Sequence, residues 1–306
     1  MERRTFITGA LAALAAAGAN TLVGEEPPMN KKNVEELHPK DVNAHLRSLL
    51  ATDLPHVVDH QIILTENARR AIIIVLQCHW SGDLTDEEMQ DVEESQKENY
   101  ELIKTLLAGG WIDSVHDEAM MAKGEPKPDP QWDFDPEKVL PDVQASNLAR
   151  FGAVRVLAEA GKLVRKGAER TAAFNASGPA LSMENGEEKD KLLFKDREDG
   201  FLSVLDAEED CIACGVWGAD HDFVDNLDAF NLDALNNNQK EKLTSMVCLT
   251  TTAIRKRMLR MRKKYTEDVT ETLPAPRLPH PTESRTVQPP KQKKRPRPSF
   301  GGILLP

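Results

Sequence analysis

Two histidines, a glutamate and an arginine are the residues of this chain whose types and settings suit chemistry. His79 follows the apolar run AIIIVLQC at residues 71–78, and His221 follows CGVWGAD at residues 214–220. Glu118 closes a third stretch, where WIDSV runs into His116-Asp117-Glu118. If these runs are parallel strands, the three side chains share one rim of a sheet, at the carboxyl ends where α/β proteins bind ligands. Two imidazoles and a carboxylate are enough to hold a divalent metal with a position left for water or substrate. The fourth residue is Arg197, which the spacing Leu193, Arg197, Phe201, Leu205 places on the apolar stripe of a helix. There it either snorkels outward or pairs with a buried anion, Glu118 or a substrate group. A lone strand-end histidine more often makes a structural hydrogen bond, so the weight lies on the joint occurrence.

The elements that would position these residues alternate. Residues 71–78 are rich in β-branched side chains, as a strand buried on both faces requires. Thr85 and Glu88 form a capping box that opens a helix with Met89, Val92, Ile103, Leu106 and Leu107 on one stripe, ending at Gly109-Gly110. A strand follows, completing a βαβ unit. Residues 142–160 have helical spacing, KLVRKGAE reads as a short strand with Glu169 at its end, and a helix covers residues 187–208 before the strand CIACGVW. The spacing of Leu243, Met246, Val247, Ile254 and Met258 predicts a last helix over 239–264 with a basic face at its end. The fold class is therefore α/β, a parallel or mixed sheet with flanking helices and a site at the carboxyl ends of the strands.

At 306 residues the chain is long enough for a sizeable core, and its net charge of −11 conceals an asymmetry. Residues 273–306 carry seven Lys/Arg against one Glu, whereas Asp83 to Glu101 carry nine carboxylates and one lysine. An acidic body excludes nucleic acid as the main partner. The first residues, MERRTFITGALAALAAAGAN, run from a basic pair through an apolar stretch to Ala17-Gly18-Ala19. That is the plan of a secretory signal of the twin-arginine kind, too short to span a bilayer, and it implies an exported prokaryotic protein. The expected organisation is a signal peptide at 1–19, a linker and short helix at 20–65 and an α/β domain at 66–266 with a Pro-rich insertion at 122–141. A basic Pro-rich tail at 267–306 cannot bury enough surface to fold alone and suits contact with an anionic surface or a protein. Cys211-x-x-Cys214 invites a redox or zinc reading, but residues three apart on a strand face opposite ways, so both thiols are expected to fill core.

The order strand–His, long helix, strand–Glu, helix with Arg-Glu-Asp and strand–G-x-x-H resembles the TraB/ChaN/Tiki/erythromycin-esterase-like superfamily. The stretches that carry it are IIIVLQCHWS, SQKENYELIKTLLAGG, KDREDGFLSVL and ACGVWGADHDF, over residues 71 to 265. By that resemblance His79 and His221 match the paired histidines, Glu118 the acidic residue after the second strand, and Arg197 the helix arginine. It implies an exported metal-dependent hydrolase of peptide or ester bonds, with His79, Glu118 and His221 on the metal or its water and Arg197 steadying an oxyanion. A small molecule or a peptide would be the substrate. The alternatives are a haem- or metal-binding protein of the same fold held through His79 or His221, and a degenerate scaffold acting through its tail. One departure stands out: the family's Gly-Glu-x-His is here Leu76-Gln77-Cys78-His79, which removes a possible general base. His116 or Asp117 would have to compensate.

Overall fold

The run from Ala71 forms the centre of a seven-stranded sheet in a computed structural model that describes residues 41–79, 84–125, 134–184, 186–208, 210–268 and 285–287. The expected signal peptide and the first part of the linker lie outside the described residues, as do the centre of the Pro-rich insertion and most of the tail.

In chain order the elements are α1 (Val42–Leu50), β1 (Val57–Thr65), β2 (Arg70–Gln77), α2 (Asp86–Ala108) and β3 (Ser114–Met121). Then come α3 (Pro136–Val139), α4 (Ala145–Phe151), α5 (Ala153–Glu159), β4 (Val164–Glu169), α6 (Thr171–Ala180), α7 (Glu187–Asp190) and α8 (Asp196–Asp206). The chain continues through β5 (Ile212–Gly218), α9 (Val224–Asn236), β6 (Thr244–Thr251), α10 (Thr252–Asp268) and β7 (Arg285–Val287). The sheet order is β4-β3-β5-β2-β6-β1-β7. The first five of these strands are parallel neighbours, and β1 runs antiparallel to β6. The fold is α/β, a mixed and mostly parallel sheet with helices on its faces.

Alternation along the strands divides the core in two. Ile73, Val75, Val216 and Val247 pack with α1, α2, α4 and α5 on one face. Ile72, Ile74, Leu76, Trp217 and Met246 pack with Phe201, Leu205, Phe223 and Leu227 on the other. Each such buried side chain contributes about 1.5–3 kcal/mol. Cys214 lies in the first cluster, whereas Cys211, at the amino end of β5, is half-buried and outside the core; neither is in a disulfide. Burial pushes the Cys214 thiol up to about 12, as inert core filler requires.

The capping box of α2 is present, with Thr85 Oγ1 accepting from Glu88 N and Glu88 Oε2 accepting from Thr85 N. Two segments differ from the expectation. Residues 244–251 are the strand β6, buried along its whole length, and the helix starts only at Thr252. Leu243, Met246 and Val247 fit a helical period, but TSMVCLTT is a short β-branched apolar run and pairs with β2 on one side and β1 on the other. Residues 57–65, grouped with the linker, are the strand β1. The basic face of α10 also has a partner: Arg255 pairs with Asp59, Lys256 with Glu94, and Arg260 with Glu87 and Asp91. Three tail residues, Arg285–Val287, pair with β1 as a short outer strand.

Candidate functional site

Four adjacent strands deliver the site. In sheet order their carboxyl ends carry Glu169 (β4), Glu118 (β3), the Gly218–His221 turn (β5) and His79 (β2). Arg197 and Glu198 reach it from the first turn of α8, directly after a π turn at Lys191–Lys195. Single π turns of this kind recur beside functional sites.

His79 is held through the backbone before it. Asn99 Nδ2 donates to Leu76 O at 3.0 Å, Gln96 Nε2 donates to Cys78 O at 2.9 Å, and Cys78 N donates to Ser95 Oγ at 3.1 Å. The buried polar stripe of α2 thus satisfies the last groups of β2, where sheet pairing has run out. Gly218 permits the close approach, because a Cβ there would sit 3.0 Å from His79 Nε2.

Glu118 is the hub. Its side chain is 6% exposed and its two oxygens receive four donors. Oε2 lies 2.7 Å from His79 Nε2 and accepts from Gly218 N at 2.6 Å. Oε1 accepts from Arg197 Nη2 at 2.5 Å and lies 3.4 Å from His221 Nε2. Burial alone would raise this carboxyl, yet the two imidazoles hold it well below the usual carboxylate range. An ionised Glu118 can only accept, so the Nε2 atom of His79 carries a proton and Nδ1 is left for exchange.

A second layer holds these donors. Arg197 Nε donates to Glu169 Oε1 at 2.8 Å, and Nη2 also contacts Glu169. His221 Nδ1 meets Glu198 Oε1 at 3.0 Å, and the same oxygen accepts from Asp222 N. Burial opposes a charge on His221, but Glu118 and Glu198 outweigh it and push the imidazole up to about 9. Burial also works against a charge on His79, and Glu118 again prevails, so its pKa is raised. Glu169 goes the other way: it is fully buried, desolvation raises its pKa against the pull of Arg197, and among the described residues Oε2 has no hydrogen-bond partner. Trp217 lies under both cations, 4.9 Å from the His221 ring and 5.7 Å from the Arg197 guanidinium.

The structure therefore brings together His79, Glu118, Arg197 and His221, with Arg197 on Glu118 rather than snorkelled to solvent. His79 is the outermost, its side chain 46% exposed. His116 and Asp117 do not join them: His116 is buried against Phe201 with Nε2 3.3 Å from Glu208, and Asp117 pairs with Arg165. Gln77 accepts a hydrogen bond from Gln96 instead of serving the rim, and Leu76 fills core. Sequence reasoning left Glu169 and Glu198 without a role. Their signals were a carboxylate ending a strand and the residue beside Arg197, but the partner of a buried acid is set by tertiary packing.

Two imidazoles and a carboxylate suit a divalent cation by donor chemistry. As arranged, both Nε2 atoms are turned onto Glu118, and Arg197 already brings a cation to that carboxylate. Among the described residues no group of three or more His, Cys, Asp and Glu side chains is spaced to hold a metal ion. The fold and rim define an α/β protein with a charge-paired polar centre at the carboxyl ends of its strands. No protein-family model matches the chain, and neither a curated protein nor a solved structure does.

Proposed function

We propose that this chain is an exported hydrolase of peptide or ester bonds in which His79 is the acid–base group. The observation that carries the reading is a half-exposed imidazole fixed on a buried carboxylate that four donors hold ionised. That arrangement orients the ring and leaves Nδ1 for the reacting proton. Neutral His79 takes a proton from water as the water oxygen bonds to the substrate carbonyl carbon. The imidazolium returns that proton to the departing amine or alkoxide as the C–N or C–O bond breaks. Glu118 balances the charge on the ring throughout, and Arg197 and His221 fix Glu118. The raised pKa of His79 means that the neutral, basic form accumulates only as pH rises, so the rate climbs on the alkaline side of the ring's ordinary range.

The resemblance in the order of strand ends supports the same reading, and its metal-dependent form enters the test. That form requires His79 and His221 to turn from Glu118 toward an ion. Its signature is about one divalent metal per chain, lost in the His79→Ala/His221→Ala double variant. Haem held by His79 is the second reading, favoured by the exposure of that imidazole, and it gives a Soret band on purification. The deciding experiment is hydrolysis of 4-nitrophenyl esters and peptide anilides by the purified chain, with and without chelator, beside elemental analysis and an absorption spectrum. Turnover that survives the chelator supports His79 as the base. Turnover lost with the metal supports the metal-dependent form, and a haem spectrum without turnover replaces hydrolysis with binding.

A further inference from the structure

We infer that the tail strand β7 is an edge guard: seated on residues 63–65, it keeps the outer edge of β1 from pairing with β1 of a second copy. This role is independent of the chemistry at the rim.

β1 is where the sheet would otherwise end. Its inner side pairs antiparallel with β6 over most of its length, while β7 meets only its last three residues, in parallel. A bare edge strand offers a row of amide and carbonyl groups to any other chain, and proteins blunt such edges with charges, bulges or a covering segment.

The two halves of β1 are blunted differently. In the first half the register shifts between Val57 and Asp59. Asp59 Oδ1 accepts from His60 N at 2.9 Å, and Oδ2 accepts from Arg255 Nη1 at 3.1 Å. A bulge, a locally satisfied amide and an ion pair therefore stand in this half. The second half, Ile62-Ile63-Leu64-Thr65, has no charge, and its side chains are buried. No side chain there is free to guard the main chain. An uncharged run of this kind, rich in β-branched residues, is what pairs between copies when its edge is open. β7 covers this half.

The sequence keeps the guard short. Pro279 and Pro281 precede Arg285–Val287, Pro289-Pro290 follow it, and proline has no N–H to give a ladder. Three residues of parallel pairing are weak by themselves. Carried on the same chain as β1, however, β7 meets its site at an effective concentration of about 1 mM, which outcompetes a second copy at micromolar concentration. Once β7 is gone, β1 can pair with itself about a two-fold axis, since both copies then present the same edge.

The test uses the full chain and Thr286→Pro, which removes the central amide of β7 and lies outside both core clusters. Sedimentation equilibrium reads the oligomeric state, and hydrogen exchange reads the amides of residues 62–65. The probe is a peptide of residues 280–290, HPTESRTVQPP, added in trans at about 1 mM. The expected result is a wild type that stays monomeric at micromolar concentration and a variant whose dimer is at least about tenfold tighter. At dilutions where the variant is monomeric, residues 62–65 should exchange faster than in the wild type, and the peptide should return the dimer to monomer. Unchanged exchange in the variant overturns the inference. So does a variant that exchanges faster yet stays monomeric, or one that associates and ignores the peptide. A wild-type dimer that Thr286→Pro dissociates shows the strand exchanged between copies, and overturns it as well.

Discussion

Two buried polar networks lie at opposite ends of the strands, and they are built differently. At the carboxyl rim, Glu118, Glu169 and Glu198 face Arg197, His79 and His221. Where β6 begins, Asn231 donates to Thr65 Oγ1 and to Thr244 O and accepts from Thr244 N, while Ser245 Oγ accepts from Thr65 N and donates to Asn43. The second network is neutral and closes on itself, tying α1, β1, α9 and β6 together. The first is ionic, leaves one oxygen of Glu169 without a partner among the described residues, and ends in the half-exposed ring of His79. Neutral amides and hydroxyls hold a fold at modest cost, whereas buried ions cost several kcal/mol each before pairing recovers it. A fold that only needed stapling could use the neutral solution alone, and the proposed function gives the ionic one at the rim its use.

The ionic network is most sensitive at Glu118. Replacing Glu118 by Gln leaves Arg197 and His221 as buried cations short of an anion, and the expected loss is about 3–5 kcal/mol, read by urea denaturation. The corresponding change in the neutral network, Asn231→Ala, strips partners from Thr244 N and Thr65 and is expected to lose about 1–3 kcal/mol.

pH separates the two networks in kind. His221 has its folded pKa raised to about 9 from an ordinary 6.5, so its contribution is fully present below 6.5 and is lost as pH rises through about 9. Glu118 has its folded pKa depressed, so its contribution is present above its ordinary value and is lost as pH falls through the folded one. Melting scans from pH 2 to 10 are therefore expected to fall at both ends in the wild type. In Glu198→Gln the alkaline fall should be smaller, because one of the two carboxylates that charge His221 is gone. The difference between wild type and Asn231→Ala should stay constant with pH. The smallest stability effect is expected at His79, because His79→Ala leaves Glu118 with Arg197, His221 and Gly218 N, and the loss is about 1 kcal/mol.

Much of this site is legible along the chain because of where apolar runs stop. AIIIVLQC and CIACGVW are too apolar to be anything but buried, so the histidines after them had to stand at strand ends. Arg197 betrayed itself by sitting between Leu193 and Phe201. The strand β6 was hidden because its apolar residues satisfy two periods at once, and β1 because Asp59, His60 and Gln61 interrupt its run and only pairing with β6 settles its conformation. Glu169 and Glu198 were visible as residues and invisible as partners, since nothing local says which cation a buried carboxylate will meet.

In the proposed function His79 moves the proton and its neighbours hold it in place. The measurement that tests this most directly is the rate of 4-nitrophenyl ester hydrolysis by wild type and His79→Ala, with the melting temperature of each. At least a hundredfold loss of rate is expected in the variant, in the range of a lost general base, with melting within a few degrees. Equal rates in the two proteins would contradict it, and a rate lost only together with the fold would return His79 to a structural role.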